Sequence, residues 1–464
     1  MTVTRTKTSV LRQAVVRRIE WLHRRARRTG SSRPIPLLSS QDPFLHPPAD
    51  LAGIAPGTIV RHRPVDIALF GVVPQQVSAW QLLYRSNDLH GRPEASVTTV
   101  LLPTDADPDV QRPLLAFQSA VDAVTERCAP SYALRCGARA LGSITQIEWL
   151  LMIAPALRCG WAVTIADHEG PQGNFGAPRE PGYRCLDGIR AALRFHPLGL
   201  HADSPVAVWG YSGGGMASSW LVETAPTYAP ELDIVGAVLG APVGDPGQVF
   251  VRLNGGLFAG FPAMVIAAMR HVYPALDRLI ETHLTPAGYP LLTAAERLPP
   301  LLTLVRLANH DVDRYLDRPL ADILTEPELQ LMLDDLRLGG SIPTCPLLVV
   351  QPVHDQVIHA EGVDGQVDRY RRGGTHVTYL RDRLSEHFTL LALATPLSLD
   401  WLADRLAARP VPPSETRTVW SIAASRSAGR GYLFMATTVL RVLFGRPLSR
   451  TPIPAQRPPH PVAA

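Results

Sequence analysis

A serine set among glycines has the clearest chemical potential in this chain. Residues 210–214 read Gly-Tyr-Ser-Gly-Gly and match the pattern G-x-S-x-G. An apolar run at 206–209 precedes the pattern and a run of small residues at 215–221 follows it, which predicts a strand, a tight turn and a helix. The start of that helix would aim the Gly213 amide at a developing negative charge. Ser212 is therefore predicted to be a nucleophile for acyl transfer, with the Gly213 amide as an oxyanion donor.

The same glycines could instead form a phosphate-binding turn at the start of a helix. A P-loop needs a lysine directly after its last glycine. No lysine follows these glycines. The pattern therefore favours a nucleophile over phosphate binding.

A serine nucleophile needs a base, and the base needs an acid that orients it. After a strand–serine–helix turn, the acid and then the histidine follow the serine in the chain. Asp355 comes just after the apolar run 346–351 and is the predicted acid, because ligands of open α/β sheets bind where such strands end. Asp245 also follows an apolar run and is the rival candidate. For either aspartate, the alternative role is to cap a turn.

His387 is the predicted base. It follows a strand-like run at 376–380 and precedes a helix predicted over 396–406. Most of the 15 histidines are expected to be ordinary surface or core residues. His354 and His359 lie so close to Asp355 in the sequence that they would share its loop, which makes them poor partners for it.

Alternating strands and helices are predicted to position these residues. The short buried strands are predicted at 161–166, 206–209, 234–239 and 347–351, with helices at 144–157 and 185–195. This alternation is typical of an α/β fold with a mostly parallel central sheet flanked by helices. Residues 244–343 break the rhythm with a leucine-rich, proline-broken helical pattern that is too long for one connection. We interpret this region as a helical cap inserted between two core strands.

Composition and charge set the remaining parts of the chain apart. The 464 residues carry a formal charge of +4, which does not favour nucleic acid as a partner. Residues 5–28 hold nine basic residues against one acid and predict an amphipathic helix, with an anionic membrane surface as a possible partner and a solvated tail as the alternative. The predicted parts are a basic N-terminal helix and linker (1–48), two core parts (49–243 and 344–407), the cap (244–343) and a Pro/Arg-rich C-terminal extension (408–464).

The N-terminal sequence and the cysteine spacing bear on location and on cysteine chemistry. The basic start lacks the uninterrupted apolar region of a signal peptide, and no apolar run is long enough to span a bilayer. These features favour a cytoplasmic or peripheral membrane location over secretion. The five cysteines form no CxxC pair, so a zinc site is not expected, and few or no disulfides are predicted.

Several segments together resemble the secretory lipase family of the α/β-hydrolase superfamily. They are the elbow and its helix at 209–220, the continuation APTYAPEL at 225–232, and the strand and turn GWAVTIADHEGP at 160–171. Asp122, upstream of CAPSY at 128–132, matches the position of an oxyanion-hole residue in that family. The resemblance covers about residues 42–406.

The resemblance implies an α/β-hydrolase fold and hydrolysis of triacylglycerols and other carboxylic esters. The implied catalytic residues are Ser212, Asp355 and His387, and the implied oxyanion donors are the amides of Gly213 and Asp122. No metal or organic cofactor is needed for this chemistry. An acyltransferase, or a membrane-associated binding protein on an inactive scaffold, remains an alternative. The basic N-terminal and Pro-rich C-terminal segments are not explained by the resemblance.

Overall fold

The computed structural model describes residues 34–450 apart from 105, 108–109 and 425–427. The strands within this part of the chain are β1 (Ile59–Pro64), β2 (Ala68–Leu69), β3 (Val73–Pro74), β4 (Ser78–Asn87), β5 (Pro93–Leu102), β6 (Leu114–Gln118), β7 (Ala162–Ala166), β8 (Val206–Tyr211), β9 (Ile234–Gly240), β10 (Leu347–Pro352), β11 (Val377–Asp382) and β12 (Thr416–Val419). The basic segment predicted at residues 5–28 lies outside the described residues.

One ten-stranded sheet forms the centre of the protein, in the order β1-β4-β5-β7-β6-β8-β9-β10-β11-β12. The strands from β7 to β12 in that order are parallel, and β1, β4 and β5 join the sheet in antiparallel pairs. The predicted α/β-hydrolase fold is confirmed. The last strand, β12, pairs with β11 and lies within the predicted C-terminal extension, so the sheet continues beyond residue 407.

Helices cover both faces of the sheet. They are α1 (Pro130–Ala133), α2 (Thr145–Glu148), α3 (Ala154–Arg158), α4 (Glu180–Leu193), α5 (Gly213–Tyr228), α6 (Pro246–Leu253), α7 (Gly260–Met269), α8 (Pro274–His283), α9 (Tyr289–Arg297), α10 (Pro300–Arg306), α11 (Leu320–Ile323), α12 (Pro327–Leu336), α13 (Ala360–Arg372), α14 (His387–Leu406) and α15 (Ala428–Leu443). A π-helical segment at Trp149–Ile153 joins α2 to α3. The central strands are buried along their whole length because each face of the sheet packs against an apolar helix layer.

The chain between β9 and β10 contains α6 to α12 and no strand of the central sheet. Five of these helices, α6, α8, α9, α10 and α12, begin with a proline at their first or second residue. Apolar side chains from these helices, among them Met264, Ile280 and Met332, join the same core cluster as the strands beneath. This region therefore packs on the carboxyl end of the sheet and shares one hydrophobic core with it.

The helix after β11 begins nine residues earlier than the sequence predicts. Glu386 caps it, because its carboxylate accepts hydrogen bonds from the amides of Phe388 and Thr389, while Thr389 accepts one from the Glu386 amide. Pro396 lies inside the helix and does not start it. The capping box places His387 at the first helical residue.

No described helix is long and apolar enough to cross a membrane. No disulfide joins any two of the five cysteines, all of which lie in the described part of the chain.

Candidate active site

Ser212 occupies a strained turn between β8 and α5. Its backbone has φ 54° and ψ −120°, a region that non-glycine residues rarely adopt. A Cβ at Gly210 would lie 2.1 Å from the Gly214 carbonyl oxygen, and a Cβ at Gly214 would lie 2.1 Å from the Gln118 carbonyl oxygen. The two glycines of the pattern therefore allow a turn too tight for any other residue. The turn raises the Ser212 side chain above the carboxyl end of the sheet.

The three side chains predicted from the sequence to be catalytic form one continuous row of hydrogen bonds. His387 Nε2 lies 2.9 Å from Ser212 Oγ, and His387 Nδ1 lies 2.9 Å from Asp355 Oδ2. All three residues are buried. With the proton on Nδ1, the histidine donates to the carboxylate and accepts from the serine hydroxyl. This arrangement can move a proton from Ser212 to His387 while Asp355 stabilises the resulting charge.

The Asp355 carboxylate is held on both oxygens by groups other than the histidine. Oδ1 accepts hydrogen bonds of 2.8 Å from the amides of Val357 and Ile358, and Oδ2 accepts one of 3.2 Å from the Gln351 side chain. Arg252 from the cap helix α6 donates to the Asp355 carbonyl oxygen over 2.9 Å. The loop after β10 is thereby fixed, and Oδ2 stays directed at the imidazole.

His387 is fixed by its backbone as well as by its ring. Its carbonyl oxygen accepts a 2.6 Å hydrogen bond from the Tyr211 hydroxyl, and its amide donates to Gln356 over 3.1 Å. Gln356 also bonds to the Glu386 cap. Tyr211 directly precedes the serine and Gln356 directly follows the acid, so the three loops are tied together at the histidine.

The alternative candidates for the acid and the base do not take part in this row of hydrogen bonds. Asp245 caps α6 by accepting from the Gln248 amide, and its other oxygen pairs with Arg337 at 3.0 Å. It therefore has the capping role that was the alternative for a loop aspartate. His354 is exposed, and His359 precedes α13.

The two predicted oxyanion donors are adjacent, but one of them presents a different group. The Gly213 amide lies in the first turn of α5, where backbone amides lack helical partners. Asp122 lies against Gly213, since a Cβ on that glycine would be 1.8 Å from Asp122 Oδ1. The Asp122 amide, however, donates to Glu169 Oε1 at 3.0 Å. In this structure the carboxyl group of Asp122, and not its amide, faces the site, which corrects the predicted donor.

Two buried carboxyl groups meet at this position. Burial raises the pKa of Asp122 to about 7, against a smaller opposing effect of His387. Burial, and then the neighbouring Asp122 carboxyl, raise the pKa of Glu169 well above its ordinary value. Asp122 Oδ1 and Glu169 Oε2 are buried without a hydrogen-bond partner among the described residues. Asp122 therefore carries a proton at pH values below about 7 and can then donate it in a hydrogen bond.

A small pocket of about 60 Å³ opens beside Ser212, Gly213 and Asp122. A second cavity, of about 150 Å³, lies within the cap helices. The two share four lining residues, Pro246, Phe250, Val265 and Leu336. Most other residues around the cap cavity are aliphatic, and leucine is the commonest of them. The site therefore borders an apolar space within the cap.

No group of three or more His, Cys, Asp or Glu side chains in the described part of the chain is arranged to hold a metal ion.

Comparison with known proteins places this site in a family. The family model for secretory lipases matches residues 134–413. Lipase A of Arthroderma benhamiae is 34% identical over 379 residues, which covers 80% of each chain. The chain belongs to the secretory lipase family. The resemblance inferred from the sequence motifs is thus confirmed.

Two further relatives bear on the fold and on the activity. The solved structure of Candida antarctica lipase A in its closed state has a TM-score of 0.78 and 25% identity, and the match covers 89% of this chain and 99% of that one. A Mycobacterium tuberculosis protein named probable inactive lipase is 48% identical over 434 residues, covering 94% of this chain and 97% of that one. Family membership therefore does not by itself establish activity in this secretory lipase homologue.

Several residues that shape the site were not singled out from the sequence. The sequence patterns assign no role to Glu169, Tyr211, Gln356 or Arg252. Glu169 follows the parallel strand β7 by three residues, so its place at the carboxyl end of the sheet was a usable signal. The other three act through backbone contacts, which leave no pattern in the sequence.

Proposed function

We propose that this protein hydrolyses carboxylic esters with Ser212 as nucleophile and that it prefers long acyl chains, as a triacylglycerol lipase does. The observation that carries the proposal is the unbroken row from Ser212 through His387 to Asp355, with 2.9 Å at each step. The strained turn at Ser212 supports it further, because such strain is kept where a side chain must be presented for chemistry.

The reaction proceeds through an acyl-enzyme. His387 takes the hydroxyl proton as Ser212 Oγ attacks the ester carbonyl carbon, and it then gives that proton to the departing alcohol oxygen. Asp355 keeps the imidazole in the productive tautomer and stabilises its positive charge. Water activated by His387 attacks the acyl-enzyme in the second half, releasing the fatty acid and restoring Ser212.

Two different donors stabilise the tetrahedral oxyanion. One is the Gly213 amide at the start of α5. The other is the protonated carboxyl group of Asp122, whose Oδ1 lies against Gly213 and has no other partner in the described structure. Glu169 holds Asp122 in this orientation by accepting a hydrogen bond from the Asp122 backbone amide. A donor placed where the charge develops contributes about 10²–10³ in rate.

The cap cavity supports an acyl chain as the occupant. It is lined almost wholly by apolar side chains and shares its boundary residues with the pocket beside Ser212. Each buried CH₂ group contributes about 0.8 kcal/mol, so a long chain that reaches this space gains several kcal/mol over acetate. This gain is the basis for preferring long-chain esters.

One observation favours a second candidate, a lipid-binding protein without hydrolytic activity. The Asp122 amide is engaged by Glu169, so the site offers a single free amide to an oxyanion. The relative named probable inactive lipase points the same way. Both candidates use the cap cavity, and they differ only in whether Ser212 reacts. An acyltransferase would share the acyl-enzyme and differ in using an alcohol in place of water.

The deciding experiment treats the protein with a fluorophosphonate probe and then assays p-nitrophenyl esters from acetate to palmitate. Labelling is expected at Ser212 and is expected to disappear in Ser212→Ala. Asp355→Asn should lower turnover about 10⁴-fold because the imidazole takes the wrong tautomer. Asp245→Asn is the matched control and should retain turnover, since that residue caps α6 and pairs with Arg337 without contacting Ser212 or His387.

Absence of labelling in the folded protein would reject the hydrolase and favour the binding protein. Labelling with better turnover of acetate than palmitate would retain the esterase and reject the preference for long chains. Products formed on added alcohols faster than free acid would favour the acyltransferase.

A further inference from the structure

Helix α15 carries apolar side chains on two opposite faces. Met435 and Val442 are buried against the body of the protein. Leu433 and Leu440, together with Phe444 directly after the last helical residue, point the other way and are 67%, 55% and 72% exposed. At 3.6 residues per turn these three fall on one stripe, opposite the buried pair. A helix that is apolar on both sides is normally covered on both sides.

The buried face is held firmly, so the exposed face has a defined direction. Arg158 donates to the Thr438 hydroxyl over 2.6 Å, and the Tyr432 hydroxyl donates to the Leu393 carbonyl oxygen over 2.7 Å. Gln75 reaches the Val442 carbonyl oxygen over 3.0 Å. Rotation of α15 to bury its outer stripe would break all three contacts.

The charge around the stripe identifies what can cover it. The described residues from 428 to 450 contain four arginines and no aspartate or glutamate. Arg430 and Arg441 are exposed along one flank of the stripe, and Arg446 follows the helix. The basic segment at residues 5–28 would be repelled from this face, and a second copy docked on the same face would oppose arginine to arginine. An anionic surface is complementary in both charge and apolarity.

We propose that α15 lies flat on an anionic lipid surface. Leu433, Leu440 and Phe444 enter the boundary between headgroups and acyl chains, while the flanking arginines bind phosphate groups. The helix spans 16 residues, and no described helix is long and apolar enough to cross a bilayer, so the docking is in the plane of the surface. The proposal is independent of whether Ser212 is reactive.

Helix α15 also contacts the helix that carries the proposed base. The Tyr432 hydroxyl of α15 donates to the Leu393 carbonyl oxygen of α14, which lies six residues after His387 and therefore about 9 Å along the same helix.

The test is sedimentation of the full chain with vesicles of phosphatidylglycerol and with vesicles of phosphatidylcholine. The variant Leu433→Glu/Phe444→Glu is expected to lower the partition coefficient on anionic vesicles about tenfold or more. Arg430→Gln/Arg441→Gln should lower it about fivefold per arginine at low salt, with little change at 1 M salt. The matched control is Leu331→Glu/Val305→Glu, which alters cap residues that are 70% and 61% exposed and should bind as the unaltered chain does.

Circular dichroism and thermal unfolding of each variant check the fold without relying on activity. Unchanged binding of Leu433→Glu/Phe444→Glu, or equal binding to the two vesicle types, would overturn the proposal. So would a dimer in solution that this variant dissociates while vesicle binding persists, because α15 would then be an interface between two copies.

Discussion

At the scale of single residues, Asp122 decides how this site differs from a plain serine triad. Its positive φ of 48° turns the carboxyl group towards Gly213 while its amide is taken by Glu169. Burial then raises the pKa of the carboxyl to about 7. A titratable oxyanion donor follows, where most such sites use backbone amides alone.

This donor predicts an unusual alkaline limb in the pH profile. As pH rises through about 7, Asp122 loses the proton it would donate and becomes an anion beside the oxyanion, so kcat/KM should fall. Asp122→Asn keeps a donor at all pH values and should remove that fall. Asp122→Ala should lower kcat about 10²–10³-fold across the range. The measurement is kcat/KM on p-nitrophenyl butyrate from pH 5 to 9, and an unaltered alkaline limb in Asp122→Asn would contradict the assignment.

At the scale of secondary-structure elements, the loops of the core position the reacting groups, and the cap helices line the apolar cavity. The turn from β8 to α5 and the loops after β10 and β11 position the reacting groups on the rigid sheet. The helices α6, α7 and α12 supply the residues shared by the reactive pocket and the cap cavity. In the proposed function, the core therefore sets the chemistry and the cap sets which acyl chains can reach it.

Narrowing the boundary between the pocket beside Ser212 and the cap cavity should separate the effect of the cap on acyl-chain preference from the chemistry of the core. Val265→Trp, on α7, places a large ring between the two cavities, so turnover of palmitate esters should fall about tenfold while that of acetate changes little. Val305→Trp on α10 is the control, since Val305 is exposed on the same cap. The two ester series are compared by kcat/KM for each variant. A parallel loss on acetate and palmitate would show that the cap cavity does not hold the acyl chain.

At the scale of the whole molecule, charge is concentrated at the two ends of the chain. Residues 5–28, which lie outside the described residues, carry nine basic side chains, and residues 425–464 carry six. With a total of only +4, the rest of the chain is slightly acidic. The charge that the proposed lipid contacts require is therefore carried by the two ends of the chain and not by its body.

Removal of the basic N-terminal segment should weaken vesicle binding in a salt-dependent manner. Each basic residue near an anionic leaflet contributes about 1 kcal/mol, and salt screens this over a Debye length of about 30 Å at 0.01 M and about 3 Å at 1 M. The full chain should therefore bind phosphatidylglycerol vesicles more strongly than a chain that begins at Gly30. This difference is expected at low salt and not at high salt. Equal sedimentation of the two chains at low salt would show that residues 5–28 are a solvated tail.

The local patterns by themselves determined the elbow, the central strands and the order of serine, acid and histidine. Each depends on neighbours in sequence: glycines two residues either side of Ser212, or an apolar run directly before Asp355. The tertiary structure alone decided which group of Asp122 faces the site, because Glu169, 47 residues away, captures its amide. It also decided that β12 extends the sheet and that α15 keeps an apolar face outward. These outcomes depend on contacts between segments far apart in the chain, and spacing along the sequence carries no record of such contacts.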